Sequence, residues 1–249
     1  MKGGLINYRE ALVGRLRVLK SCFVLDAGTG AGNLTKALSD GLDSSVVSID
    51  RNKHVFPHVF ERVDRKRVEF VTCSFTHLPF KQDGFCAIVC DLAISTSSDW
   101  KPFSIYGEFR RVLKHGSSLY ITDYFPERSP RTKEALLAVE TSRLLRTILK
   151  TKGVKLKRGF SPQSTVRQLK RTGFVIVKRE KIKANEGQAW KKRVLEEYYN
   201  GMKMEISTLS KPTLQVKYMK KLEELKREIE NEREICWGWG VNYVIQAQK

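Results

Sequence analysis

Short apolar runs alternate with stretches of helical spacing along the first half of the chain. The runs cover residues 21–26, 45–50, 68–73, 85–91 and 117–123. Apolar residues three or four positions apart predict helices before and between them, over residues 5–20, 32–41, 52–63 and 103–114, the third with a break at Pro57. Strands that alternate with helices indicate βαβ units and a mostly parallel sheet. The runs are almost continuously apolar, as expected where helices cover both faces of a sheet.

The second half continues this pattern and adds a long helical segment. It predicts helices over residues 131–150 and 162–171, followed by a strand over residues 174–182. Ser161 is the expected N-cap of the second helix, and Gly173 is expected to follow its last turn. Two strongly charged helices, over residues 188–200 and 212–233, precede a final strand over residues 235–247. We therefore expect a single α/β domain over residues 1–249, with residues 186–233 as a helical insertion between the last two strands.

The turn after the first strand carries three glycines, in the segment VLDAGTGAGNL at residues 24–34. Gly28, Gly30 and Gly32 lack a Cβ, so the backbone there can turn sharply and approach a ligand closely. The helix that follows directs its free N–H groups at this turn. The spacing is GxGxG, and Asn33 stands where the GxGxxG fingerprint of dinucleotide-binding proteins has its third glycine. The segment therefore departs from an NAD site.

Four predicted strands end in an acidic residue: Asp26, Asp50, Asp91 and Asp123. Open parallel sheets bind ligands at the carboxyl ends of their strands, so we expect these side chains to line one rim. Asp50 stands 18 residues beyond Gly32, where an acid can accept hydrogen bonds from both hydroxyls of a ribose. An N-cap role for Asp50 is the alternative, but together with the glycine turn the spacing favours nucleoside binding.

Four segments together resemble the class I S-adenosylmethionine-dependent methyltransferases, in particular the ubiquinone/menaquinone-biosynthesis branch (methyltransferase type 11). They are VLDAGTGAGN, VVSID, VEFVTCSFTHLPF and EFRRVLKHGSSLYITD, all within residues 20–125. Residues 161–182 match only the general pattern of a late helix and strand. The resemblance implies a Rossmann-like sheet of seven strands in the order 3-2-1-4-5-7-6, with strand 7 antiparallel and helices on both faces. It also implies S-adenosylmethionine as the cofactor.

The resemblance also implies roles for individual residues. The residues expected to contact the methionine and ribose parts of the cofactor are Asp26, Gly28, Thr29, Gly30 and Gly32. Asp50 would bind the ribose hydroxyls, and the aliphatic part of Arg51 would lie along the adenine. Ser74, followed by Phe75, stands where the family commonly has an aspartate that accepts from the adenine amino group. A serine hydroxyl can still accept this hydrogen bond, but it carries no charge.

Methyl transfer requires few catalytic side chains, because the sulfonium already carries an activated methyl group. The candidate catalytic residues at the rim are Asp91 and Tyr124. Asp91 could accept a proton or orient an acceptor, and capping of the segment after the fourth strand is the alternative. The (D/N/S)PP(Y/F) signature of amino-group methylation and the Pro-Cys nucleophile of cytosine C5 enzymes are both absent. These absences leave open a small or lipid-like acceptor and other kinds of RNA methylation.

The charge of the chain favours an anionic partner. The net charge is +19, and residues 143–183 hold 14 basic residues and one acidic residue, Glu180. Such an excess creates a long-range positive field, which makes RNA an alternative acceptor; a solvated lysine-rich surface is the other interpretation. A non-catalytic protein that binds S-adenosylmethionine is a third hypothesis, supported by Ser74 and by Cys86, where the family usually has an aspartate.

The helical insertion contains large apolar side chains that could line a lid over an apolar acceptor or form an ordinary packing face. They are Tyr198, Tyr199, Met202, Met204 and Tyr218.

The cysteines, histidines and apolar segments suggest no further kind of site. The five cysteines contain no CxxC pair, so we expect neither a disulfide framework nor a metal site. Cys22, Cys86 and Cys90 lie in apolar runs and are expected to be reduced thiols in the core. No uninterrupted apolar stretch approaches the roughly 18 residues of a membrane span, and the first residues lack the apolar core of a secretion signal. We therefore expect no membrane span and a cytoplasmic protein.

Overall fold

A computed structural model describes residues 8–94, 101–125, 133–154, 161–182, 199–232 and 241–249. The strands are β1 (Phe23–Ala27), β2 (Ser45–Asp50), β3 (Val68–Thr72), β4 (Phe85–Asp91), β5 (Leu113–Phe125), β6 (Val175–Ile182) and β7 (Val241–Gln248). The helices are α1 (Tyr8–Leu16), α2 (Asn33–Gly41), α3 (Pro57–Phe60), α4 (Pro102–Val112), α5 (Lys133–Thr151), α6 (Pro162–Arg171), α7 (199–207) and α8 (Pro212–Asn231). A 3₁₀ turn over Lys53–Val55 precedes α3.

All seven strands belong to one sheet, in the order β3-β2-β1-β4-β5-β7-β6. β1 pairs in parallel with both β2 and β4, and the parallel pairing continues outward to β3 and β5. β7 is antiparallel to its neighbours: the backbone N–H of Lys249, at its far end, donates to the carbonyl of Ser117, near the start of β5. The predicted fold, including the strand order, is confirmed.

The apolar runs form strands because both of their faces are covered. In β1 and β2, the side chains of Val24, Leu25, Val46 and Ile49 have essentially no solvent exposure. This explains why these parallel strands lack the alternation of apolar and polar residues that marks a half-exposed sheet. Asp26 is buried in the same interior and lies one residue before the end of β1.

Several predicted boundaries differ from the observed ones. β4 and α6 agree with the prediction, and Ser161 caps α6 by accepting from the backbone N–H of Ser164 at 3.4 Å. The predicted break at Pro57 is confirmed, because Pro57 begins α3 and cannot continue a preceding helix. The helical parts on either side are shorter than predicted: a 3₁₀ turn before Pro57, and the single turn of α3 after it. β5 extends to Phe125, so Asp123 lies inside this strand and is buried.

The expectation of reduced thiols is wrong for two cysteines. Cys22 and Cys86 form a disulfide, with their Cα atoms 6.2 Å apart. The β1–β4 register accounts for it: Val24 lies beside Ala87, so the residue just before β1 comes close to the second residue of β4. Cys22 and Cys86 are 64 residues apart in the chain, so their spacing gives no sign of this pairing. Cys90 is a free, buried thiol as expected.

The chain divides into two compact units. The first contains the sheet together with α1 to α4 and α6. The second contains α5, α7 and α8, whose apolar core is formed by Leu137, Leu144, Ile148, Met202, Ile206, Leu209, Leu222, Leu225 and Ile229. Within the ranges that the structure describes, no helix is both long and apolar enough to cross a membrane.

Candidate functional site

A cavity of about 340 Å³ opens in the sheet unit where β1, β2, β3 and β4 end. Its walls come from the glycine turn after β1, from the residues that follow β2 and β3, and from the end of β4. Of the predicted site residues, those that line it are Gly28, Thr29, Gly30, Asp50, Arg51, Ser74, Phe75 and Asp91. Asp26 and Gly32 lie behind the wall and do not line this cavity.

The backbone of the glycine turn has a conformation that residues with a side chain rarely adopt. Gly28, Gly30 and Gly32 have φ angles of 109°, 47° and 74°. A Cβ on Gly28 would lie 2.4 Å from the Cβ of Ala93, so the turn and the segment after β4 are in direct contact. A Cβ on Gly30 would meet only a backbone oxygen, 4.0 Å away. The missing side chain at Gly28 therefore lets the turn pack directly against the segment after β4, whereas the space beside Gly30 is open to the cavity.

The carboxylate of Asp50 is fixed by two backbone groups. Gly30 donates its N–H to Oδ2 at 3.1 Å, and Asn52 donates its N–H to Oδ1 at 2.9 Å. A carboxylate oxygen can accept more than one hydrogen bond, so both oxygens keep the capacity to accept from a ligand. This arrangement suits a vicinal diol, whose two hydroxyls can each donate to one oxygen.

Asp26 anchors a buried polar cluster behind the glycine turn. Its Oδ2 accepts from the hydroxyls of Thr35 at 2.6 Å and Ser48 at 2.7 Å, and Ser48 is also within hydrogen-bonding distance of the Thr29 hydroxyl. The other oxygen, Oδ1, has no hydrogen-bond partner in the described part of the chain. Complete burial raises the pKa of Asp26 to about 7, although the two hydroxyls oppose this shift. The cluster connects the end of β1 to Thr29 in the cavity wall.

The wall beyond β3 is less polar. The Ser74 hydroxyl accepts from the backbone N–H of Thr76 at 3.2 Å and lies 2.9 Å from the Thr76 hydroxyl, which holds it in a local turn. The ring of Phe75 packs edge-on against Phe109, with the centroids 5.9 Å apart. Cys73 also lines the cavity, and burial, together with the Asp50 carboxylate, raises its pKa to about 11. This side offers a flat apolar surface with one hydroxyl acceptor.

Arg9 is a cavity residue that sequence reasoning did not identify. It lies in α1, and its Nε donates to Oδ2 of Asp91 at 2.8 Å. The other oxygen of Asp91 accepts from the hydroxyl of Thr122, which is its neighbour in the β4–β5 register. Arg9 stands three, four and seven residues before Leu12, Val13 and Leu16, so the sequence contained a sign that it belongs to the inner face of the helix.

Arg62 supports the glycine turn from the outside and was also missed. Its guanidinium donates to the carbonyl of Ala31 at 2.7 Å and to Oδ1 of Asn33 at 3.1 Å. Ala31 and Asn33 both line the cavity. Arg62 is exposed and lies 29 residues beyond Asn33 in the chain. No local sequence pattern therefore predicts this contact.

Other predicted features lie away from the cavity or outside the described residues. Asp123 is buried in β5. The backbone of Tyr124 belongs to β5, but its side chain is outside the described part, as are residues 155–160 of the basic segment and Tyr198. Met202 belongs to the core of the helical unit, with Tyr199 and Tyr218 packed against it, whereas Met204 is exposed. For Met202 the packing alternative is therefore confirmed. In the regions that are described, no group of His, Cys, Asp and Glu side chains is arranged to hold a metal ion.

Comparison with known families gives one match, over residues 24–116, to a family described as "Methyltransferase domain". This segment contains the glycine turn, Asp50, Ser74 and Asp91. Among curated protein sequences, none matches the chain significantly.

Solved structures with the same fold perform more than one kind of chemistry. The [4+2]-cyclase SpnF superposes with a TM-score of 0.62 at 17% identity, covering 96% of this chain and 80% of SpnF. Phosphoethanolamine N-methyltransferase 2 from Haemonchus contortus, in complex with phosphomonomethylethanolamine and S-adenosylhomocysteine, gives 0.59 at 17% identity, covering 97% of this chain and 52% of the other. A geranyl diphosphate methyltransferase in complex with S-adenosylmethionine gives 0.56 at 13% identity, covering 97% and 84%. At these identities the likeness establishes the fold alone.

Proposed function

We propose that this chain, a member of the class I S-adenosylmethionine-dependent methyltransferases, methylates a small or lipid-like acceptor. Bound in the cavity, S-adenosylmethionine supplies an activated methyl group on its sulfonium. The observation that carries the proposal is Asp50, which lines the cavity and whose two oxygens are held by the N–H groups of Gly30 and Asn52. This geometry fits the ribose of the cofactor, and it depends on the GxGxG turn that the sequence contains.

The remaining cavity residues fit the other parts of the cofactor. We assign the adenine to the wall beyond β3, where Phe75 offers an apolar ring and Ser74 a hydroxyl, with Arg51 beside them. Gly28, Thr29 and Gly30 form the floor of the site. Asp26 and Gly32 support this floor from behind: Asp26 through its bonds to Ser48 and Thr35, and Gly32 through its contact with Val59, whose side chain a Cβ on Gly32 would meet at 2.5 Å.

The acceptor side lies toward β4 and β5. Asp91 and Tyr124 are the candidate catalytic residues there, because parallel strands in this fold class present ligand-binding groups at their carboxyl ends. A general base is required only if the acceptor must lose a proton before transfer. Alignment of the acceptor with the sulfonium and exclusion of water are the larger contributions expected from the protein.

Two structural relatives support a small acceptor, since phosphomonomethylethanolamine and geranyl diphosphate are both small molecules. No comparison supports RNA. The basic segment that motivated the RNA alternative is described only in part, and its described residues include none that line the cavity.

The test is transfer of labelled methyl groups to fractionated cell extract. The purified chain is incubated with methyl-labelled S-adenosylmethionine and with separate small-molecule, lipid, protein and RNA fractions. We expect label in the small-molecule or lipid fraction. Label that enters RNA or protein instead would overturn the proposed acceptor class.

A matched variant distinguishes transfer by the chain from contamination. Asp50→Ala should lose the transfer, whereas Asp43→Asn, which changes an exposed carboxylate elsewhere on the sheet unit, should retain it. Binding of S-adenosylhomocysteine is measured in parallel by calorimetry. Binding without transfer to any fraction would favour the non-catalytic hypothesis, and absence of binding would refute the cofactor assignment.

A further inference from the structure

The two long helices of the helical unit, α5 and α8, run antiparallel. The Thr151 hydroxyl at the end of α5 lies 3.2 Å from the Tyr218 hydroxyl in the second turn of α8. At the opposite end, Lys133 in the first turn of α5 pairs with Glu232, just after α8. Gln215, in the first turn of α8, donates its side-chain amide to the last carbonyl of α7 at 3.3 Å. The end of α5, the end of α7 and the start of α8 therefore meet at one end of this unit.

This end of the helical unit carries an excess of positive charge. Its exposed cations, which define the basic end, are Lys150, Lys203, Lys211, Lys217 and Lys220. None of the five forms an ion pair with any residue that the structure describes, and Glu205 at the same end is already paired with Lys152. The last turns of α8, at the opposite end, hold Glu228 and Glu230 instead. The positive charge of the basic end is therefore free to attract an anionic partner.

Exposed apolar side chains lie among these lysines. Met204 and Val216 are 71% and 72% exposed, and Val154 is 44% exposed. Val154 follows the end of α5, where its N–H donates to the carbonyl of Leu149 at 3.0 Å, so its backbone is held against the helix. Val216 lies next to Lys217 in the chain and one turn before Lys220. The basic end therefore combines cations with apolar groups that water solvates poorly.

This combination fits a lipid surface better than a nucleic acid. Single-stranded RNA is bound by cations together with exposed aromatic rings on which the bases stack. The aromatic residues in the described part of the helical unit are Tyr199 and Tyr218, and both pack against its apolar core. Binding to an anionic membrane surface instead requires cations for the headgroups and aliphatic side chains that enter the acyl boundary.

We propose that the basic end binds the surface of an anionic lipid bilayer. The lysine ammonium groups contact the headgroups, and Met204, Val216 and Val154 enter the boundary between headgroups and acyl chains. The long aliphatic part of lysine can lie along that boundary while its ammonium group stays in water. The contact is peripheral, because no helix in the described ranges is able to cross a membrane. The inference goes beyond the proposed function and depends on the helical unit alone, whichever acceptor the cavity takes.

Sedimentation of the purified chain with vesicles tests the role of the charge. Wild type should bind vesicles of phosphatidylcholine and phosphatidylserine, and it should not bind vesicles of phosphatidylcholine alone. Each lysine near an anionic surface contributes about fivefold in affinity. Lys211→Gln/Lys217→Gln/Lys220→Gln should therefore weaken binding about a hundredfold. These side chains are exposed, so the variant should unfold at the same urea concentration as wild type. Absence of binding by wild type at about 100 mM salt, where charges about 10 Å apart still interact, would overturn the inference.

The matched charge control is Arg167→Gln/Lys170→Gln/Arg171→Gln, on the exposed side of α6 in the sheet unit. It removes the same three positive charges from the chain. It should retain most of the binding, because salt screens charges that do not contact the membrane. Equal losses in the two triple variants would show that only the net charge matters and would overturn the assignment to the basic end.

Two further variants test the apolar contact. Met204→Ser should weaken vesicle binding. Val216→Trp should strengthen it, because tryptophan favours the interface between membrane and water. Val175→Trp is the matched control, since Val175 belongs to β6 in the sheet unit and is 66% exposed, close to the 72% of Val216. An equal gain at Val175, or no change in Met204→Ser and Val216→Trp, would overturn the apolar contact.

Labelled single-stranded RNA provides the alternative outcome for the basic end. Met204→Ser should leave the affinity for RNA unchanged while it weakens vesicle binding. If wild type binds RNA but not the anionic vesicles, the basic end is an RNA surface and the inference is wrong. Calorimetry with S-adenosylhomocysteine keeps this result separate from the proposed function. Cofactor binding without vesicle binding refutes this inference alone, and vesicle binding without cofactor binding refutes the proposed function alone.

Discussion

The Asp50 carboxylate holds the glycine turn in place, and we propose that it also binds the ribose of the cofactor. Each of its oxygens accepts a backbone N–H, from Gly30 and from Asn52, and the residue lines the cavity. Substitution at this position should therefore affect both the shape of the glycine turn and the proposed contact with a ribose. Two substitutions of different severity can separate these effects.

Asp50→Ala should weaken S-adenosylhomocysteine by about 1.5–3 kcal/mol, the range for hydrogen bonds to a charged group. Asp50→Asn should lose less, because its amide oxygen can still accept from one of the two backbone groups. Asp43→Asn, an exposed site on the same unit, is the control and should bind as wild type. An unchanged dissociation constant in a folded Asp50→Ala variant would remove Asp50 from the site.

Asp26 should make stability depend on pH in an unusual direction. Its pKa is raised from 3.8 to about 7 because it is fully buried. The folded state therefore holds a proton that the unfolded state has released, so stability falls as pH rises from about 4 to about 7 and is level above that. A shift of about three pKa units corresponds to at most about 4 kcal/mol.

Asp26→Asn removes this titration and keeps an oxygen that can accept from Thr35 and Ser48. Urea denaturation at about pH 5 and about pH 8 should show that wild type loses stability relative to the variant as pH rises. Asp40→Asn, whose carboxylate is exposed and paired with Lys36, should not change the pH profile. Parallel profiles for wild type and Asp26→Asn would contradict the shifted pKa.

The turn between β1 and α2 combines a steric and a conformational constraint. Gly28 has a φ of 109°, and a Cβ there would lie 2.4 Å from the Cβ of Ala93. Gly28→Ala should therefore destabilise the fold and abolish cofactor binding. The double variant Gly28→Ala/Ala93→Gly should recover the steric part but retain a backbone cost of about 1–2 kcal/mol. Gly107→Ala, in α4 with open space around its Cβ position, should stabilise by about 1 kcal/mol and serves as the control.

If Gly28→Ala proves as stable as wild type in urea and binds S-adenosylhomocysteine equally well, the close contact with Ala93 has been overestimated. Recovery of full stability in the double variant would show that only the steric part matters. These two results separate the contact from the backbone conformation.

The Cys22–Cys86 disulfide joins two neighbouring strands across 64 residues of chain. Closing a loop of that length stabilises a fold by about 4 kcal/mol in the chain-entropy model. Dithiothreitol should therefore lower the urea midpoint of wild type, whereas Cys22→Ala/Cys86→Ala should already have the lower midpoint and should not respond. A wild type that does not respond to reductant would show that this bond makes no contribution to stability.

The sequence predicts strands and helices well where one local pattern determines them. β4 and α6 match their predicted bounds because a continuous apolar run and a Ser-Pro start are local signals. The break at Pro57 was predicted because a proline cannot continue a helix, but periodicity did not show that only a 3₁₀ turn precedes it and that α3 ends at Phe60. The cavity residues on the glycine turn and at the end of β2 were predicted by motif. The spacing places Arg9 on the inner face of α1, but its contact with Asp91, the contacts of Arg62 and the disulfide join distant segments, and no local pattern reveals such contacts.

The structure of the sheet unit could be predicted from its sequence in more detail than that of the helical unit. The sheet unit matches a known family, and this match extends over residues 24–116. The helical unit of α5, α7 and α8 falls outside that match, so only its amphipathic spacing was available. That spacing identified Met202 as a packing candidate, and Met202 lies in the core with Ile206 and Leu222. Amphipathic spacing cannot distinguish such a core from a ligand-binding lid.

The net charge of +19 leads to a last prediction. In the sheet unit, Arg167, Lys170 and Arg171 share the exposed side of α6, whose buried residues include Thr165 and Leu169. If the chain acts on a small acceptor, these cations form a solvated surface. The triple variant Arg167→Gln/Lys170→Gln/Arg171→Gln should then methylate the small acceptor as fast as wild type does. Added tRNA should not inhibit methylation of the small acceptor.

Salt dependence separates this outcome from RNA recognition. Each phosphate contact to single-stranded RNA contributes about 0.7 to the slope of log affinity against log salt, so five contacts predict a loss of roughly a hundredfold between about 50 and 200 mM salt. We expect the affinity for RNA to show this non-specific dependence on salt. The triple variant should reduce the slope of log affinity against log salt, and its methyl transfer to the small acceptor should be unchanged. RNA binding that persists at the higher salt, together with label transferred to RNA, would show that the positive charge serves substrate recognition and that the acceptor is RNA.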